Sequence, residues 1–347
     1  MRLALGEMPE VKTTLNETEV AEERLRRRGG LSIELPACEG DGAPPPFFIA
    51  TETEMRIVGS GGVYRIIRSD EIDPDVTHVN VPNVIQRELR RGARDHVVAR
   101  TLGQVHQLQP LLVDSKLART CARHLVSICK SIANAADLLD AFDKAFDENV
   151  GQLTSAGASG VALEPMDDYD GLCRSFFGYA KLGIAGCTDL LIEGLRLESV
   201  FAGNMKAIAA AMSQRADLQD AHQRLSMHLD WCKLVTDARN AIEHPTAINW
   251  FETRNFMLMP NGGVMKPTYR HHSPGKRTGN PQDFQGNAEL LLDKLLCLAE
   301  ASLIEVGLAN YPLPIPIEVA KLEEARRNPD CPARYAANIV DLTSPES

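Results

Sequence analysis

Aromatic side chains are scarce in this chain of 347 residues, at 5% of the total. Because aromatic residues are enriched in β-strands, their scarcity, together with abundant Ala and Leu, favours helices packed on helices over a β-sandwich. The chain also lacks a Cys-x-x-Cys pair, which excludes a zinc ribbon and a thioredoxin-like site. The cysteines mostly lie among apolar residues, which is typical of small buried hydrophobes in a reducing compartment. They are Cys38, Cys121, Cys129, Cys173, Cys187, Cys232, Cys297 and Cys331.

Positive charge is not in excess either, since the net charge is −10. A surface that binds nucleic acid everywhere is therefore excluded, and any contact with RNA needs a local basic patch. No stretch approaches the ~18 apolar residues that span a membrane. The first residues, MRLALGEMPEVK, lack the apolar core of a signal peptide. We expect a globular cytoplasmic protein that does not bind a membrane.

Several common cofactor and catalytic motifs are missing. The glycine-rich turn Gly59–Gly62 is not followed by Lys-Ser/Thr, so a phosphate loop is not indicated. His271 and His272 are adjacent, so their side chains should point apart, and no carboxylate follows before Asp283. We therefore expect neither a metal nor another cofactor.

The N-terminal part of the chain divides into an arm and a β region. Residues 1–30 end in the charged run EERLRRRGG and are predicted to be a flexible arm. Residues 31–78 should form a small β region, because strand-like runs at 47–58 and 62–69 flank the glycine-rich turn.

Helical periodicity follows, and residues 79–310 are predicted to form a mainly α, antiparallel helical bundle. A β-hairpin insertion is expected at 250–272, before the last long helix, around Pro260-Asn261-Gly262-Gly263. Residues 311–347 should be a proline-rich tail with one short helix. The predicted helices cover 83–107, a long segment from Asp114, 166–200, 204–244 and 282–309.

One segment stands out as a candidate active site: Arg239-Asn240-Ala241-Ile242-Glu243-His244-Pro245. An Arg followed by His after four to six residues is common by chance, as the six such pairs in this chain show. Only the pair Arg239/His244 has Asn beside the Arg, Pro after the His and a long amphipathic helix before it. The six are Arg90/His96, Arg91/His96, Arg100/His106, Arg119/His124, Arg215/His222 and Arg239/His244.

This segment resembles the signature of the HEPN superfamily (higher eukaryotes and prokaryotes nucleotide-binding domains), which lies at a helix end within an all-α bundle. The resemblance covers residues 115–310, and its specific part is seven residues long. It implies a metal-independent endoribonuclease, a toxin or phage-defence effector. It also implies a homodimer with a composite cleft, an RNA substrate, and an antitoxin or regulatory protein as a partner.

Within that chemistry, His244 would do the acid/base work and Arg239 would hold the phosphate. Asn240 would orient His244 or the RNA backbone. The basic segment Arg270–Arg277, with Arg270, His271, Lys276 and Arg277, would border the cleft and contact RNA.

Other interpretations remain open. Arg239 and Glu243 lie one helical turn apart and suit an ordinary ion pair, and His244 suits a C-terminal cap. The long helices and the acidic charge would equally suit a non-catalytic interaction or nucleotide-sensing module of the same fold. A third possibility is a regulatory subunit that docks through its N-terminal β region.

Overall fold

The computed structural model describes residues 45–67, 84–155, 165–198, 200–259, 263–272 and 280–339, and most of these are helical. The chain forms two compact units, one of residues 1–126 and 311–347 and the other of residues 127–310. The division falls within the helix that begins at Ser115. The predicted N-terminal arm lies outside the described residues.

The first unit contains a four-stranded antiparallel sheet in the order β1-β2-β3-β4. The hairpin predicted around Gly59–Gly62 is confirmed, because Gly59 pairs with Gly62 at the turn between β2 and β3. Buried Ile57, Tyr64 and Ile66 form the core on one face of the sheet. The strands are β1 (Phe47–Ala50), β2 (Met55–Gly59), β3 (Gly62–Ile67) and β4 (Val84–Leu89).

The helix predicted for residues 83–107 is wrong in its first half. Val84–Leu89 pairs with β3 instead, and those ladder hydrogen bonds outweigh a weak local helical preference. The helical segment begins only at His96, after Asp95, whose carboxylate accepts a hydrogen bond from the backbone N–H of Val97 at 2.8 Å. This segment, α1, consists of His96–Val98, a π-helical turn Ala99–Gly103 and Gln104–Gln107.

The described part of the tail contains a β-hairpin that was not predicted, with one short 3₁₀ helix, Glu324–Arg326, between its two strands. Strand β10 (Ile317–Lys321) pairs antiparallel with β11 (Tyr335–Ile339). Buried Gln104 of α1 anchors β11: its amide donates to the carbonyl of Tyr335 at 2.7 Å and accepts from the N–H of Arg334 at 3.0 Å.

Helix α2 (Ser115–Ser155) begins where the sequence predicts it, with Asp114 accepting from the N–H of Lys116 at 2.8 Å. In the second unit, the later part of α2 packs on α3 through close contacts at Gly186. Helix α3 in turn packs against α6 and α7. The other helices are α3 (Tyr169–Gly194), α4 (Met205–Ser213), α5 (Gln219–Ser226), α6 (Leu229–Glu243) and α7 (Phe284–Ala309).

The single helix predicted for residues 204–244 is wrong. The structure has α4, a 3₁₀ turn at Ala216–Leu218, α5 and α6 over this range. At the first break Arg215 adopts an extended backbone, and its guanidinium donates to the carbonyl of Leu195 at 2.6 Å. This tertiary hydrogen bond fixes a turn where the local sequence contains neither Gly nor Pro.

The predicted insertion at 250–272 contains strands, as expected. Two of them, β5 and β8, form an antiparallel sheet with β9, which lies outside the insertion, in the order β5-β8-β9. Two shorter strands, β6 and β7, pair with each other. Phe251 and Tyr269 stack on the inner face, with ring centroids 5.7 Å apart, and both contact Phe177 of α3. The strands are β5 (Trp250–Arg254), β6 (Met257–Leu258), β7 (Val264–Met265), β8 (Thr268–His272) and β9 (Gln282–Asp283).

Candidate functional site

Helix α6 places the candidate motif at its C-terminal end. One face of α6 is buried and includes Val235, Ala238 and Ala241. Because α6 packs on α3 through that face, Arg239, Asn240 and His244 lie at its more exposed side. The small alanines bring the helix close to its neighbours and so fix the position of the polar residues.

The helix ends at His244, which is its C-cap residue with φ −128° and ψ 61°. Its N–H still donates to the carbonyl of Asn240 at 2.9 Å. Pro245 has no N–H and restricts the residue before it, so the helix cannot continue. Thr246 and Asn249 then form a bridge that leads the chain into β5.

Arg239 forms an ion pair with Glu243 across one helical turn, and both side chains are about one-third exposed. Asn240 and His244 are exposed. Among the residues that the structure describes, neither side chain has a hydrogen-bond partner. Within the described chain, the motif therefore presents one paired cation together with an amide and an imidazole that have no hydrogen-bond partner.

A second cation, Lys181 of α3, lies next to this helix, and the sequence pattern did not indicate it. Its ammonium donates to the hydroxyl of Thr236 on α6 at 3.1 Å and to the carbonyl of Gly203. Burial lowers the pKa of Lys181, and the nearby charge of Arg239 lowers it further. Because Lys181 is on another helix, only the packing of α3 on α6 brings it to the motif.

Arg270 of the predicted basic loop is engaged on the outer face of β8. It forms an ion pair with Glu252 at 2.5 Å, and its guanidinium lies 5.5 Å from the Trp250 ring centroid. Hydrogen bonds from Arg270 and Arg254 lower the pKa of Glu252. These contacts neutralise much of the positive charge of Arg270, which was expected to contact RNA.

His271 pairs in register with Phe251, whereas His272 stacks on Trp250 with centroids 4.2 Å apart. The two histidines therefore point to opposite faces of the sheet, as their adjacency predicted. Lys276 and Arg277 lie outside the described residues. Within the described chain, no hydrogen bond or ion pair joins Arg239, Asn240 or His244 to Arg270 or His271.

The described parts of the chain contain no group of three or more His, Cys, Asp or Glu side chains that could hold a metal ion. No helix among the described residues is long and apolar enough to cross a membrane.

Comparison of the chain with protein-family models, with curated proteins and with solved structures finds no match.

Proposed function

We propose that this protein is a HEPN-like endoribonuclease that works without a metal ion, with its active site at the end of α6. The main support is that Arg239, Asn240 and His244 lie together at an exposed helix end whose other face is buried. A rigid helix with a free imidazole is a suitable platform for acid/base chemistry, which needs defined geometry. The resemblance of the seven-residue motif supplies the substrate class.

In the proposed reaction, the His244 imidazole takes the proton of a ribose 2′-hydroxyl, and the oxygen attacks the adjacent phosphorus. The bond to the 5′-oxygen breaks, and that oxygen takes up a proton from water. The hydroxide left behind takes the proton back from His244, which restores the neutral imidazole. The products are a 2′,3′-cyclic phosphate and a 5′-hydroxyl. Arg239 stabilises the negative charge that develops on the phosphate, since a guanidinium offers several fixed donors. Asn240 orients the imidazole or the RNA backbone.

The proposal includes a homodimer in which two motifs share one cleft. Two exposed apolar side chains flank the motif and favour such an interface: Leu234 on α6 is 39% exposed and Ile248 after the helix is 64% exposed. An Ile248→Asp variant should be monomeric by light scattering and should have lost cleavage. A dimeric, active Ile248→Asp protein would place the interface elsewhere.

The decisive test is cleavage of total RNA in excess EDTA by the wild type and by His244→Ala. Loss of general acid/base catalysis should lower the rate about 100-fold or more. His222→Ala is the matched control, because Arg215/His222 has a similar spacing but not the context of the motif. Circular dichroism should show equal helicity in all three proteins.

The chemistry can be checked at the fragment ends. The 5′ ends should accept phosphate from polynucleotide kinase without prior dephosphorylation. Cleavage that survives in both His244→Ala and Arg239→Ala, or that requires a divalent metal, would overturn the proposal. If the protein is a toxin or phage-defence effector, expression of the wild type but not of His244→Ala should arrest growth.

The ion pair between Arg239 and Glu243 favours one alternative, a non-catalytic nucleotide-sensing or interaction module of the same fold. In that case the motif would bind without cleaving, and no RNA turnover would occur at any pH. Titration calorimetry against a panel of nucleotides separates the two versions of this alternative. Binding would support a sensor, and a flat result would leave a module for a protein partner.

A further inference from the structure

The two edges of the N-terminal sheet differ in character. One edge strand, β4, carries Arg87 and Glu88, and charged residues of this kind discourage the addition of another strand. The other edge strand, β1, has the sequence Phe-Phe-Ile-Ala and carries no charge. An apolar, uncharged edge is a ready template for pairing with an extended segment.

The hydrogen-bond pattern shows which groups β1 offers. At the turn, the N–H of Thr51 donates to the carbonyl of Glu54 at 2.9 Å, so this pair is hydrogen-bonded. Bonded and non-bonded pairs alternate along an antiparallel ladder, which makes Ile49 and Phe47 the residues bonded to β2. The backbone N–H and C=O groups of Phe48 and Ala50 therefore point away from β2. Within the described residues, these four groups have no hydrogen-bond partner.

A groove of about 480 Å³ lies beside this edge. Phe48, Ile49 and Ala50 all line it, and three consecutive residues can do so only if the groove follows the strand edge and not one face of the sheet. The first turns of α2 form another wall, through Ser115, Ala118, Arg119 and Ala122. These positions are spaced by three and four residues and so share one helical face.

Arg119 brings a positive charge into this mostly apolar groove. Its side chain is half-buried and has neither an ion pair nor a hydrogen bond within the described part of the chain. Arg123, one turn later on the same helix, has its guanidinium 3.3 Å from the carboxylate of Glu52. An unpaired guanidinium beside apolar side chains is suited to a carboxylate supplied by a ligand.

We propose that this groove binds an extended peptide, which adds a fifth strand beside β1. The N–H and C=O groups of Phe48 and Ala50 pair with its backbone, and the groove between β1 and α2 takes its apolar side chains. Arg119 binds its carboxylate, which is either the C-terminal group or an Asp or Glu side chain. This site is separate from the motif on α6 and does not depend on the proposed ribonuclease activity.

The test starts with two displayed octapeptide libraries, one with free C-termini and one of internal sequences, panned on the full-length chain. Enriched peptides are labelled with fluorescein, and their affinity is measured by fluorescence polarisation. We expect apolar peptides with one carboxylate, and the library that yields them identifies its source. Arg119→Gln should weaken binding about tenfold or more, the effect of losing one charge-assisted hydrogen bond. Arg123→Gln, the matched control, should bind as the wild type does.

A second variant tests strand addition directly. Ala50→Pro removes one outward N–H and leaves the β1–β2 bonds in place, so the sheet should remain folded while peptide binding is lost. Ala118→Leu fills part of the groove and leaves the sequence of β1 unchanged. It should also abolish binding, which guards against a folding defect in Ala50→Pro.

Three outcomes would overturn the proposal. The first is that no peptide is enriched, or that enriched peptides bind Ala50→Pro and Ala118→Leu normally. The second is that only a small organic anion, 8-anilinonaphthalene-1-sulfonate, binds in a manner that depends on Arg119, which would make the groove a small-molecule site. The third is dimerisation of the wild type that Ala50→Pro abolishes, which would identify a second copy of the chain as the occupant.

Discussion

The Arg239 guanidinium and the Glu243 carboxylate form an ion pair one helical turn apart, at the end of α6 that also carries Asn240 and His244. Any phosphate that binds Arg239 has to compete with this carboxylate. Pairs with this degree of exposure contribute about 0–1 kcal/mol, whereas a bidentate Arg–phosphate contact is stronger. The ion pair should therefore weaken the binding of a phosphate to Arg239 without preventing it.

Glu243→Gln should increase RNA cleavage several-fold at low RNA concentration, because Arg239 is then free to bind the phosphate. The melting temperature should change little, since the pair is partly exposed. Asp237→Asn is the matched control, because it removes another i,i+4 ion pair of α6, with Lys233. A fall in activity as large as that of Arg239→Ala would instead mean that Glu243 holds Arg239 in its working orientation.

Two glycines of α3 should respond oppositely to alanine. A Cβ at Gly186 would lie 2.7 Å from the Ile128 side chain, whereas a Cβ at Gly178 would meet nothing within 4 Å. Gly178→Ala should raise the free energy of unfolding by up to about 1 kcal/mol through helix propensity. Gly186→Ala should lower it by about 1–2 kcal/mol, because overpacking outweighs that gain. Urea denaturation measures both, and equal effects would contradict the close contact of α2 and α3.

Acid should weaken the second unit through His228. This buried imidazole accepts a hydrogen bond at Nδ1 from the Trp231 indole at 3.1 Å, and burial, reinforced by the charge of Lys294, lowers its pKa. Below about pH 6.5 the unfolded chain gains a proton that the folded chain resists, so the free energy of unfolding should fall as the pH decreases. The free energy of unfolding should stop falling once the pH is below the pKa that His228 has in the folded chain.

His228→Gln provides the control for that prediction, because its amide oxygen can accept the same hydrogen bond but does not titrate. Urea denaturation followed by tryptophan fluorescence at pH 7.5 and 5.5 should show a smaller difference for His228→Gln than for the wild type. An identical pH dependence in the two proteins would assign the acid sensitivity to other groups.

The contact between α5 and α7 depends on Arg224, whose guanidinium binds both carboxylate oxygens of Glu305 at 2.5 and 2.8 Å. The Glu305 side chain is 3% exposed and that of Arg224 53% exposed. Arg224→Ala should lower the free energy of unfolding by about 2 kcal/mol, because it leaves the buried carboxylate of Glu305 without its partner. The double variant Arg224→Met/Glu305→Leu should recover most of the loss in urea denaturation. If the double variant is no more stable than Arg224→Ala, the loss of stability comes from lost packing and not from the unpaired charge.

Local sequence signals predicted the helices whose apolar residues form continuous stripes and whose ends carry caps. Helix α2 starts after Asp114 and α7 after Asp283, which accepts from the N–H of Gly286 at 3.2 Å. The hairpin of β2 and β3 was also predictable, because its turn residues lie next to both strands. In these elements, local preference and tertiary packing agree.

The incorrect predictions concern features that depend on distant partners. Strand β4 forms because it pairs with β3, and β11 because it pairs with β10 and binds Gln104. The break after α4 depends on the carbonyl of Leu195, which lies at the end of another helix. The candidate site also depends in part on distant residues. The motif can be recognised in the sequence, but Lys181 lies next to it only because α3 packs on α6.

The uncharged edge of β1 should promote aggregation when the protein is at high concentration. A strand that offers free backbone groups to a peptide offers them equally to any unfolded or partly folded neighbour, and so it is a starting point for aggregation. A lysine in place of Ala50 would improve colloidal stability and would remove the edge as a template at the same time. Solubility and recognition therefore place opposite demands on these four residues.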